Sequence, residues 1–230
     1  MTENWIDPDA CADSEIEACP LWESPLFLCT LSVHNLIKQP LLDLIVKQSN
    51  RQTDGIASQV AMTAKHQLLE SPLDFLEQDD ADIQLLNQTL SDLVLQVAGD
   101  VNAMYWPEDA DPVVTLVESW YHVTRYGGYH DAHSHPNCSW SGIYYLKAGE
   151  SDLATRSGVN RFYDPRTNAD QFQDAGSLYL SNQGFWDFLP VEGQVILFPS
   201  YLKHSALPYF GHTDRIVLAF NARVDLLHGE

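Results

Sequence analysis

Residues 128–146 read GYHDAHSHPNCSWSGIYYL. Three of the nine histidines of the chain, His130, His133 and His135, fall within six positions of this stretch, together with Asp131. His133 and His135 are two residues apart. On an extended segment such residues face the same side, so both imidazoles can approach one ion. Pro136 restrains His135 toward extended backbone, which favours holding the pair in that geometry. Asp131 lies two residues before His133 and shares its side, which makes it a rival ligand. The run SGIYYL (141–146) reads as a strand, so the pair is expected where a strand is about to begin.

Outward from this stretch the texture is that of a β protein. VVTLVESWYHVTRY (113–126), NRFYD (160–164), SLYL (177–180), QVILFP (194–199) and RIVLAFNARV (215–224) are short β-rich runs divided by Gly, Pro, Asn and Asp. That punctuation predicts an antiparallel sandwich or barrel. Upstream, PLFLCTLSV (25–33) reads as a first strand and QPLLDLIVKQSN (39–50) as a helix. Residues 51–80 are mixed. The clearest helix is 82–105, where Ile83, Leu86, Leu90, Leu93, Val97, Val101 and Met104 fall on one face as a core stripe. Pro107 and the acidic run PEDADP close it. The expected organisation is an acidic lead-in over 1–24, a strand with supporting helices over 25–110, and a β core over 111–230, all in one integrated domain. The helices either buttress the barrel or form a homodimer contact.

A formal net charge of −20 argues against nucleic acid and anionic membrane surfaces as partners. Against that background an anionic small molecule needs a local cationic site. The cysteines, Cys11, Cys19, Cys29 and Cys138, form no C-x-x-C pair. The N-terminus has no basic start followed by a long apolar run, and no window has the length of a membrane span. The expectation is a cytoplasmic protein with reduced thiols.

His204, in FPSYLKHSALP (198–208), is the best candidate for a third ligand, after a buried-looking strand and before a turn-like ALPYFGHTD. In the last β-run, alternation puts Arg215, Val217, Ala219 and Asn221 on one face. A guanidinium among apolar strand residues calls for an anion, and its planar fork suits a carboxylate. The remaining candidates have plainer readings. His122 and His130 are expected at the surface or behind the ligands, and His212 in an exposed turn. Trp120, Trp140, Tyr144 and Tyr145 are expected in the core or the pocket lining. Asp164 and Arg166 read as an ion-paired turn, and Cys138 as no ligand.

The order H-x-H-P…S-G-x-Y-Y-L…F-x-D-P-R…G-x-V-x-L-F-P-S-x-x-x-H…R-I-x-x-x-F-N resembles the 2-oxoglutarate/Fe(II)-dependent oxygenases, the prolyl-hydroxylase-like double-stranded β-helix proteins. It runs from about Trp120 to Asn221. The resemblance implies a mainly β, jelly-roll or cupin-like core with an N-terminal helical segment. It implies Fe(II) held by His133, His135 and His204, and 2-oxoglutarate whose far carboxylate meets Arg215. It also implies dioxygen, and a small-molecule or peptide substrate hydroxylated while 2-oxoglutarate becomes succinate. Tyr126, Ser141 and Tyr145 are candidates for a hydroxyl that assists Arg215, and Asn221 for the cofactor pocket wall. The wider superfamily carries H-x-D…H. Here a histidine stands where the aspartate would, so the site is either all-histidine or completed by Asp131. A cupin-like three-histidine metalloprotein without 2-oxoglutarate, and a non-catalytic module on the same fold, are the rival readings. Arg215 discriminates the first of these.

Overall fold

The computed structural model describes residues 23–52, 65–166, 174–177 and 184–227. Its elements are β1 (Phe27–Thr30), α1 (His34–Gln52), β2 (Lys65–Glu70), α2 (Ala81–Asn102), β3 (Asp111–His133), β4 (Trp140–Lys147), β5 (Asn160–Tyr163), β6 (Phe185–Phe188), β7 (Gln194–Pro199), β8 (His204–Tyr209) and β9 (Arg215–Leu227). The strands form one antiparallel sheet in the order β1-β7-β4-β9-β3-β8-β5-β6, with β2 added to β3. The sheet curls on itself as a double-stranded β-helix, as expected. No helix among the described residues is long and apolar enough to cross a membrane.

Period-two alternation gives this sheet two cores. On the outer face Tyr121, Val123, Tyr144, Leu146, Ile216 and Leu218 bury against the helices. Those helices contribute Ile37, Leu41 and Ile45 from α1, and Ile83, Leu86 and Leu90 from α2. On the inner face Ile143, Tyr145, Ile196, Phe198 and Val217 pack with Phe162 and Leu202. Asp80 caps α2 by accepting from the Asp82 and Ile83 amides. The buried stripe of α2 continues through Val94, Val97 and Ala98 rather than Val101 and Met104. The helix ends at Asn102, which leaves Met104 beyond its last turn and exposed.

β3 is the strand that builds the site. Its first half pairs with β9 and its second half with β8, so it crosses from one half of the sheet to the other. The change of partner falls between Thr124 and Gly128, and the register with β8 then shifts between Gly128 and His130 and between His130 and His133. A Cβ on Gly128 would sit 2.6 Å from the Gln67 carbonyl and 2.8 Å from that of Arg125, so only glycine fits there. His133 therefore ends a 23-residue strand, whereas the sequence placed the histidines before one.

Other expectations shift. The first strand stops at Thr30, and α1 begins at His34 and runs through Pro40. Residues 65–70, 185–188 and 204–209 are strands that the sequence left unassigned or read as a turn. Of the expected strand 177–180, Ser177 lies in a 3-10 turn and the rest falls outside the described residues, as do residues 1–22 of the lead-in with Cys11 and Cys19.

Candidate metal centre

His133 closes β3 directly opposite His204, which opens β8. His135 follows on a segment pinned by its own amide, which donates to the Ser200 carbonyl at 2.9 Å. The three rings converge, with centroids 4.3 Å apart for His133 and His204, 5.0 Å for His133 and His135, and 5.2 Å for His135 and His204. One ligand nitrogen from each lies within 4.8 Å of the other two. Asp131 is exposed, and its carboxylate is outside this group. It contributes its backbone carbonyl, which accepts from His133 Nδ1 at 2.8 Å. The Leu202 carbonyl does the same for His204 Nδ1 at 3.1 Å. A carbonyl only accepts, so in both rings the proton sits on Nδ1 and the Nε2 lone pair is free for a metal.

His135 is backed differently. Its Nδ1 lies 3.4 Å from the Asn221 amide nitrogen, which donates to Glu118 at 2.6 Å. The Asn221 oxygen accepts from Ser141 Oγ at 2.8 Å. Asn221 thus sits at the histidine end of the pocket rather than beside Arg215.

Burial holds all three rings neutral at pH 7. It lowers His133, takes His135 to about 4 and His204 to about 3, each of the latter helped by the charge His133 would carry. A neutral imidazole is the form that binds metal. Three such donors fit a divalent first-row transition ion, with one negative charge fewer than the two-histidine, one-carboxylate set.

The other end of the pocket is cationic. Cross-strand pairing sets Thr124 opposite Arg215, His122 opposite Val217 and Trp120 opposite Ala219, so the inner face of β3 meets that of β9. Arg215 is 2% exposed, and no carboxylate pairs with it among the described residues. Its Nη2 donates to Asn160 Oδ1 at 2.6 Å, and its buried Nε has no partner. Burial lowers its pKa, but a guanidinium stays charged. Tyr145 OH donates to the same Asn160 oxygen at 2.9 Å, and burial raises its pKa, keeping the proton on. Of the three candidate hydroxyls, Tyr145 is beside Arg215 and Ser141 beside Asn221. Tyr126 is 61% exposed, packed on Phe210 and His212 outside the pocket.

Of the two places expected for His122 and His130, the structure puts both behind the ligand candidates rather than at the surface. Both are buried and line the pocket. His130 stacks on His133 at 3.8 Å between centroids, because the bulges turn both inward despite their odd spacing. His122 Nε2 meets Glu70 at 2.6 Å and the Trp120 indole N–H at 3.0 Å. Burial alone would raise Glu70, but His122 and Lys65 hold it at about 2. Nothing in the sequence marks Asn160, which sits in an ordinary-looking NRFY strand, or Glu70, contributed by a stretch read as mixed. The Asp164–Arg166 ion pair is present, and Cys138 turns to the His135 carbonyl and Ser141.

Converging histidines at one end of a double-stranded β-helix and a buried arginine further inside form a candidate metal centre with a cationic pocket behind it. Residues 118–221 match the family described as "Putative 2OG-Fe(II) oxygenase", and the resemblance read from the motifs is borne out over that segment. No curated protein matches the chain in sequence. Among solved structures it is similar to SnoK, a non-heme alpha ketoglutarate dependent carbocyclase from nogalamycin biosynthesis. The TM-score there is 0.57 at 12% identity, over 87% of this chain and 79% of that one. HygX from Streptomyces hygroscopicus, with nickel, 2-oxoglutarate and hygromycin B bound, gives 0.54 at 11% identity over 87% and 83%. A Trichoplax adhaerens prolyl hydroxylase in complex with a hypoxia inducible factor peptide fragment gives 0.53 at 12% identity over 86% and 83%. At these identities the likeness establishes the fold.

Proposed function

We propose that the protein is an Fe(II)- and 2-oxoglutarate-dependent oxygenase. The observation that carries this reading is the buried Arg215, a cation with a free Nε and no carboxylate partner among the described residues, on the same inner face as the three histidines. A charge in that position is costly unless an anion completes it. His133, His135 and His204 hold the metal through neutral nitrogens. Arg215 and the Tyr145 hydroxyl hold the far carboxylate of 2-oxoglutarate, with Val217 and Ala219 leaving room in front of the guanidinium. Trp120 and Phe198 help to wall the site from water. Bound iron supplies the redox chemistry, coupling decarboxylation of 2-oxoglutarate to succinate with oxidation of a second substrate by dioxygen. HygX and the Trichoplax enzyme, crystallised with hygromycin B and a peptide fragment respectively, support a small-molecule or peptide substrate. The net charge of −20 disfavours nucleic acid.

A 2-oxoglutarate-independent three-histidine oxygenase is the second reading, favoured by the absence of a carboxylate from the cluster. Succinate formation from 2-oxoglutarate by anaerobically Fe(II)-loaded protein after exposure to air separates the two. The oxygenase reading expects turnover in the wild type and its loss in His204→Ala and Arg215→Ala. Absence of succinate from folded, iron-loaded wild type contradicts it.

A further inference from the structure

Buried arginines ordinarily meet a carboxylate, because an uncompensated charge in the interior is expensive. Arg215 meets an amide instead. Asn160, 4% exposed on β5, offers one oxygen that accepts from both Arg215 Nη2 at 2.6 Å and Tyr145 OH at 2.9 Å. These are the two donors assigned above to the far carboxylate. The amide oxygen satisfies their geometry and holds the fork and the phenol in place. It carries no net charge, so the positive charge of Arg215 stays uncompensated, and its Nε stays without a partner. Asn160 is the only difference between this arrangement and a closed internal ion pair: one carboxylate at the same place would neutralise the site.

We propose that Asn160 is a specificity-determining residue, a neutral placeholder that orients Arg215 and Tyr145 while reserving the charge of the guanidinium for an incoming dicarboxylate. It makes the pocket select a 2-oxo acid with a second, distant carboxylate over one without. This rests on the reading of Arg215 as the carboxylate anchor.

The test is calorimetric titration of Ni(II)-loaded protein, which is inert to oxygen chemistry, with 2-oxoglutarate and with pyruvate, which lacks the far carboxylate. Wild type prefers 2-oxoglutarate. Asn160→Asp, placing a permanent carboxylate on Arg215, loses 2-oxoglutarate affinity by about 100-fold or more, the scale of an occupied buried charge pair. Its affinities for pyruvate and Ni(II) stay within about threefold, a difference too small to reflect a lost contact. Asn160→Ala removes the oxygen that orients Arg215 and Tyr145 and reduces the preference for 2-oxoglutarate over pyruvate by about tenfold, the scale of one hydrogen bond to a charged group, which also covers an Asp variant that does not fold. The proposal is overturned if Asn160→Asp or Asn160→Ala retains the full wild-type preference. A wild type with no preference for 2-oxoglutarate over pyruvate overturns it together with the anchor role of Arg215, a pattern distinct from failure in the variants alone.

Discussion

The three ligand candidates differ in what stands behind them, and that difference is testable one side chain at a time. His133 and His204 are fixed by backbone carbonyls, which no substitution removes. His135 Nδ1 faces the Asn221 NH2, which can only donate, so no acceptor fixes the His135 proton on Nδ1 as the carbonyls do for the other two rings. Asn221→Ala is therefore expected to leave Ni(II) binding within about threefold of wild type, and Asp131→Ala, which removes only an exposed carboxylate, leaves it unchanged. Calorimetric Ni(II) titration reads both, and a loss on Asp131→Ala would reinstate that residue as a ligand. Acid acts on the same rings. His135 and His204 take up protons in the unfolded chain near 6.5 but in the folded chain only near 4 and 3. Their contribution to stability is complete above pH 6.5 and is lost as the pH falls toward those lower values. The melting temperature of metal-free protein should drop between pH 7.5 and 5, and His204→Ala should flatten the drop.

At the scale of elements, β3 decides the site. One strand passes from β9 to β8 between Thr124 and Gly128, and the bulge between His130 and His133 brings these two to the same side. Gly128→Ala forces its methyl onto two carbonyls, and such overpacking costs about 1–3 kcal/mol. Chemical denaturation should show that loss, and Ni(II) affinity should fall with it; a variant as stable as wild type would remove the constraint placed on the bend. The same features mark where sequence reading stops. Regular alternation in 141–146, 194–199 and 215–224 gave both the strands and their faces, and Arg215, Val217 and Ala219 do line the pocket together. Bulges break period two, so the sequence alone left His130 open between the surface and a place behind the ligands. β2 and β6 gain their strand character from neighbours: β2 from pairing with β3, β6 from pairing with β5. Neither run has enough apolar alternation to announce itself. In α2 the stripe was legible but drifted by one position at its end, since 3.6 residues per turn carries the buried face from Val97 to Ala98.

Over the whole molecule, one sheet serves two cores. Its outer face, covered by α1 and α2, supplies bulk apolar burial and leaves the inner face free to carry histidines, an arginine and hydroxyls. The ordered motif from His133 to Arg215 was readable because each residue type is chemically conspicuous. Asn160 and Glu70 were not, because an amide or a carboxylate in a short strand acquires meaning only from what the fold sets across from it. The proposed oxygenase function requires that metal and dicarboxylate be bound together on the inner face by the histidines and Arg215. Calorimetric titration of 2-oxoglutarate into Ni(II)-loaded wild type, metal-free wild type and Ni(II)-loaded Arg215→Ala tests it most directly. The account predicts tight binding only in the first, with a loss of about 100-fold or more in each of the others. Equal binding in all three would contradict it.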